Sequence, residues 1–175
     1  MLRKSDGFAL IDILFVCAIM GILCSIALPR LLMAKQSAGA ASAIGSIRAI
    51  SSAQLTFALT CGGGFYAPSL TTLGTAPTAS HEAFISSNLG LANTVNRSGY
   101  MIQMQGTAYS QAPATCNGLG VGATAQGYKA GADALEPTNA RFFATNANGQ
   151  IFEHSSTMFA AMPENGQPGV GHVLR

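Results

Sequence analysis

Apolar positions run almost without interruption from Phe8 to Leu28, and the one acid among them is Asp12. The run is long enough to cross a bilayer, for which about 20 apolar residues suffice. Beyond Pro29 the apolar positions thin out and become periodic. Ile44, Ile47, Ser51, Leu55 and Ala58 recur at three- and four-residue steps, with Ile50 and Phe57 flanking them, which is the spacing of one helix face. Ser46, Ser52 and Thr60 fall on the opposite side, so this half reads as amphipathic. Cys61-Gly62-Gly63-Gly64 ends the pattern, because consecutive glycines weaken a helix and provide a left-handed cap. The spacing predicts one helix from Phe8 to about Thr60, about 75–80 Å long at 1.5 Å per residue. Its first half suits lipid and its second half suits packing against a head.

Gly21 and Pro29 interrupt the apolar half. Pro29 has no N–H to donate and its ring crowds the carbonyl of Ser25, so the helix is weakest between these two positions. A proline kink and a stretch that unwinds in function both fit. Arg3 and Lys4 precede the run, and cationic flanks stay on the cytoplasmic side. A cleaved secretory signal shares the basic start and apolar middle. The length of the run, Asp12 within it and the helical pattern beyond it argue against that alternative.

The head reads as short elements joined by turns. Residues 67–74 predict a short helix with a glycine stop at Gly74, and His81 to Asn88 a second short helix or a turn. Tyr100, Ile102 and Met104 alternate with Met101, Gln103 and Gln105, a strand signature. Arg141 to Thr145 and Gln150 to His154 are joined by Asn146-Ala147-Asn148-Gly149, whose Asn-Gly step signals a hairpin. Residues 106–139, rich in Gly, Ala and Thr, read as loop, and the tail from Met162 as irregular. Three or four antiparallel strands laid on the Ile44–Leu55 stripe make the fold α+β. The domains are then residues 1–7 as a leader, 8–60 as the membrane and assembly helix, and 61–175 as the head, about 115 residues.

Charged residues make up 9% of the 175 and the formal net charge is +2. That is no footprint for nucleic acid, which needs clustered Lys and Arg. His81, His154 and His172 are scattered without an acid or nucleophile at a recognisable spacing, so no enzyme is expected. Gly62–Gly64 follows a helix and lacks a following Lys-Ser/Thr, so it is no phosphate loop. Asp133, Glu136 and Glu153 are too sparse for a calcium cage. No metal and no cofactor are expected.

The order of charged leader, Gly7, Phe8, an apolar run with an acid at its fifth place, then Gly21 and Pro29, resembles the type IV pilins and the pseudopilins of type II secretion. The match covers the leader and the N-terminal helix, and residues 65–70, 98–100 and 141–143 of the head have a weaker pilin-like look. The family usually carries Glu at the fifth place; Asp12 keeps the charge and is one methylene shorter. The resemblance implies a pilin-like fold and a structural subunit. A membrane prepilin peptidase would cut between Gly7 and Phe8 and methylate the new amine of Phe8. Gly21 and Pro29 would be the helix-loosening pair. The chain would sit once across the inner membrane, N-terminus cytoplasmic, and pass through an assembly platform into a surface or periplasmic filament of like copies.

A carboxylate among apolar residues needs a partner, and the amine of a neighbouring copy's Phe8 would supply one to Asp12. Its alternative is to reach water from one helical turn inside the membrane edge, or to stay protonated. Cys17 and Cys24 are seven apart on one helix face and read as small packing residues. Cys61 and Cys116 both fall in the outward head, an oxidising compartment, and predict a disulfide, with two free thiols as the alternative. Three readings compete: a type IV pilus subunit, a type II secretion pseudopilin, and a membrane-anchored binding module that never assembles.

Overall fold

A computed structural model describes residues 10–136 and 141–174. The chain divides into two units, Met1–Ser37 and Ala38–Arg175. Helix α1 is assigned over Leu10–Thr60. In the first unit residues 11–35 are all exposed, and the helix passes through Gly21 and Pro29 without a break.

The second unit wraps the rest of α1 with a sheet and two short helices, α2 (Leu70–Gly74) and α3 (Ser87–Gly90). The strands are β1 (Thr94–Arg97), β2 (Tyr100–Gln105), β3 (Lys129–Ala134), β4 (Phe142–Asn146), β5 (Ile151–His154) and β6 (His172–Val173). They form one antiparallel meander in the order β1-β2-β3-β4-β5-β6. The layout is α+β. Ile47, Ile50 and Phe57 of α1 meet Leu70, Leu73, Tyr100, Ile102 and Phe143 in one fully buried cluster. The caps follow the sequence closely. Ser69 accepts the Thr72 N–H at the start of α2, and α1 stops where Gly63 and Gly64 take φ +60 and +93, the left-handed region that glycine enters at least cost.

Four expectations are corrected. The stripe of α1 that packs is turned from the one read as Ile44, Ile47, Ser51, Leu55 and Ala58. Ile50, Phe57 and Gln54 lie at its centre, Ser46 is buried, and Leu55 is 56% exposed. The cause is Gln54, a polar side chain with no exposed surface. Its Nε2 donates to the Ala67 carbonyl at 2.8 Å, and the Ala67 N–H donates to its Oε1 at 2.8 Å. A buried amide satisfied in this way costs little, so a polar side chain sits in the core. Second, the described residues hold six strands rather than three or four. Third, residues 106–139 are not all loop, because β3 lies within them. Its Lys-Ala-Gly-Ala-Asp-Ala sequence has weak strand propensity and is buried on both faces. Ala132 pairs with Ile102 and Phe143 in register, and a Cβ on Gly131 would meet Phe159. Small residues here let bulky neighbours close over the strand. Fourth, α3 begins at Ser87, later than the residues 81–88 read as helix or turn.

Gln54→Leu is close in size and removes both hydrogen bonds to Ala67, together with the one from Nε2 to Met104 Sδ at 3.2 Å. The buried Ala67 N–H and carbonyl are then left without partners, at about 1–3 kcal/mol each. Urea unfolding of the variant should show a loss of about 3 kcal/mol at unchanged slope. A loss below about 0.5 kcal/mol would show that the Gln54 bridge does not hold the head.

Candidate functional site

The site is built first from the apolar part of α1. Ile11, Leu14, Phe15, Met20, Ile22, Leu23, Ile26 and Leu28 are each more than half exposed. So continuous an apolar surface needs lipid or other helices around it. The helix is long and apolar enough to cross a membrane. Asp12 lies in its first turn, where a carboxylate also meets the positive end of the helix dipole. Asp12 is exposed, and among the described residues it has no ion-pair partner. Gly7 and Phe8, the expected cleavage and methylation residues, lie outside the described residues. At the interrupted stretch the Ser25 hydroxyl donates to the Ile22 carbonyl at 2.7 Å. A Cβ on Gly21 would meet nothing within 4 Å, so its lack of a side chain serves no contact within this chain. Cys17 and Cys24 are free and exposed.

The second part is the head. Cys61 and Cys116 are joined by a disulfide across 55 residues. It ties the end of α1 to the long β2–β3 connection, beside a backbone bond from the Cys116 N–H to the Cys61 carbonyl at 3.3 Å. The same connection is held to α2 by Asn117, whose Nδ2 donates to the Thr72 and Thr75 carbonyls.

Two of the three carboxylates considered for calcium, Asp133 and Glu153, are engaged elsewhere. Asp133 accepts from the Thr157 hydroxyl at 2.7 Å, from Gln103 and from the Met158 N–H. Glu153 takes two hydrogen bonds from Arg141, at 2.6 and 3.0 Å. These bonds hold the Glu153 carboxyl below its ordinary value and push the Arg141 guanidinium up. Among the described residues no three or more His, Cys, Asp and Glu side chains gather as metal ligands would. His154 Nδ1 bonds Ser156.

One feature escaped sequence reasoning. A groove of about 740 Å³ runs along α1 between Arg48, Ser51 and Leu55 on one side and the β4–β5 turn and β6 on the other. Tyr66 and Tyr128 form part of its wall. Tyr128 donates from its hydroxyl to Ser51 Oγ at 3.1 Å, and burial pushes its pKa up. The sequence carried one signal for it: Arg48 is the sole charge between Lys35 and Glu82.

No family model, no curated protein and no solved structure matches the chain.

Proposed function

We propose that this chain is a structural subunit of a type IV pilus filament, processed between Gly7 and Phe8 and assembled through its N-terminal helix. One observation carries the reading: an exposed apolar helix with an acid in its first turn, in a chain whose outer unit is closed by a disulfide. An anchor that never assembles has no use for a carboxylate at that depth, where it costs free energy unless paired. In a filament, the apolar residues of neighbouring helices cover one another and Asp12 faces the Phe8 amine of another copy.

Charge alone gives little orientation, because Arg30 and Lys35 follow the span as Arg3 and Lys4 precede it. The disulfide is the stronger support for a head outside the cytoplasm, since thiols there stay reduced. The engaged state of Asp133 and Glu153 takes away the carboxylates that a calcium-bound pseudopilin head would want free.

Intact-mass and N-terminal analysis of protein sheared from the cell surface tests the proposal. The expected chain begins at Phe8, is heavier by about one methyl for the modified amine, and is lighter by two hydrogens for the disulfide. The same mass confined to the membrane fraction would favour a pseudopilin. A chain that still begins at Met1, or one cut near Ala38–Ala41, would overturn the reading.

A further inference from the structure

We infer that the groove beside Arg48 seats a second copy of this chain, taking that copy's exposed loop 78–83 with Glu82 set against Arg48. The inference rests on the filament reading and names the contact between heads.

The groove has two kinds of wall. Leu55, Ile151 and Val173 are apolar, while Ser52, Asn148 and Gln150 are neutral hydrogen-bonding groups. Among the described residues Arg48 is its single charge and no carboxylate lines it. Among the described residues the one ion pair is Arg141–Glu153, so Arg48 stands without a counter-charge of its own. Arg48 is exposed at the groove, and it favours an anionic partner that also has something small to lay on Leu55 and Val173.

Loop 78–83 answers that description. Thr-Ala-Ser-His-Glu-Ala is exposed throughout and carries no bulky apolar side chain. Glu82, like Arg48, has no ion-pair partner among the described residues. The loop stands on a fixed base. The His81 N–H donates to the Pro77 carbonyl at 3.0 Å and the Phe84 N–H to the Leu73 carbonyl at 2.9 Å. The Phe84 ring lies edge-on to Phe57, centroids 5.3 Å apart. Its threonine and serine hydroxyls suit the amides of Asn148 and Gln150.

Phe84 lines a second recess with Ser42, Gly45 and Ala49 of α1. At about 100° per residue these three positions lie roughly a quarter turn round the helix from Arg48, Ser52 and Leu55. The loop and the groove therefore sit on different flanks of one helix. A contact between two different surfaces of the same chain is heterologous, and it propagates as an open helical array when the rotation does not close. The pairing of Arg48 with Glu82 would add a head-level register to the one that Asp12 sets.

Charge reversal in the full-length chain tests this. Arg48→Glu alone and Glu82→Arg alone should each lower sheared surface filament by about tenfold, and the double reversal should restore most of it, because like charges across an interface repel and swapped ones attract again. Alkylation that labels only Cys17 and Cys24 shows that each variant head has folded and closed its disulfide. Filament yield unchanged in both single variants, or a double variant no better than either, would overturn the contact while leaving the filament reading standing. A wild-type chain that forms no filament would remove both. Native mass spectrometry of the solubilised wild-type chain should give the bare protein. A bound small anion that disappears in Arg48→Glu would mean that the groove holds a ligand and not a neighbour.

Discussion

Replacing Asp12 with Ala should leave the amount of chain in the membrane unchanged and remove it from surface filaments. The apolar helix does not depend on Asp12 for insertion; a charged residue there opposes insertion by about 2.5–3.5 kcal/mol at the helix centre and by less near the edge. Assembly depends on it for a different reason. The Phe8 amine of a neighbouring copy, once drawn among apolar helices, is a cation without water. Opposite charges at 4 Å attract by about 4 kcal/mol at an effective dielectric near 20. Deleting one partner of such a buried pair costs roughly 3–5 kcal/mol, because the other charge stays buried. About 3 kcal/mol is more than a hundredfold in the equilibrium of each added copy, and a filament repeats that loss at every addition. Asp12→Asn keeps the shape without the charge and should fail nearly as badly. Asp12→Glu restores a longer reach and should assemble at least as well as the natural chain. Immunoblots of the sheared and membrane fractions give the readout. Undiminished filaments from Asp12→Ala would sink the assembly role of this residue.

Much of this molecule is legible in residue order, and the parts that were not share a physical cause. The Asn146–Gly149 turn, the glycine stop after α1 and the alternation of Tyr100, Ile102 and Met104 are local signals. Each concerns residues close in sequence, and each recurs in the structure: Gly149 takes φ +74 and its N–H bonds the Asn146 carbonyl at 2.9 Å. The parts that were misread or not read at all depend on neighbours far along the chain. Gln54 is a core residue only because Ala67 arrives to bond both ends of its amide. The Ala-Gly-Ala of β3 makes a strand beside bulky neighbours from elsewhere in the chain, Ile102 and Phe143 in register with Ala132 and Phe159 over Gly131. The groove exists only where α1, the β4–β5 turn and β6 converge, and nothing local to any one of them announces it. Asp12 is the opposite case. The residue is conspicuous in the sequence, and its geometry stays incomplete within one chain because the partner proposed for it belongs to another.

The Cys61–Cys116 bond should be worth about 4 kcal/mol to the head, from the entropy of closing its 55-residue separation in the unfolded chain. The segment it closes explains why so much rests on one bond. Between β2 and β3 the chain runs from Gly106 to Tyr128 with isolated bridges of Tyr66 and Ala108 to Ala125 and no strand. Its ties to the rest of the head include the disulfide, Asn117 on α2, the backbone pair between Tyr66 and Ala125 at 2.8 and 2.9 Å, the Gly106 N–H on the Pro68 carbonyl, Thr107 on Glu164 and Tyr128 on Ser51, and the disulfide is the only covalent one among the described residues. Cutting the disulfide frees this connection in the unfolded state and loosens it in the folded one. Cys116→Ser should therefore shift the urea midpoint of the detergent-solubilised chain down by about 2 M, taking a slope near 2 kcal/mol per molar. Equal midpoints for the natural and Cys116→Ser chains would show that the head does not rely on the bond. The same cysteines test where the head resides. Alkylation of protein taken directly from cells should label Cys17 and Cys24 alone, the two free thiols, with Cys61 and Cys116 labelled only after reduction. Cys61 and Cys116 labelled at once, without reductant, would place the head in a reducing compartment, and that would overturn an external filament even if Asp12 and the leader behaved as proposed.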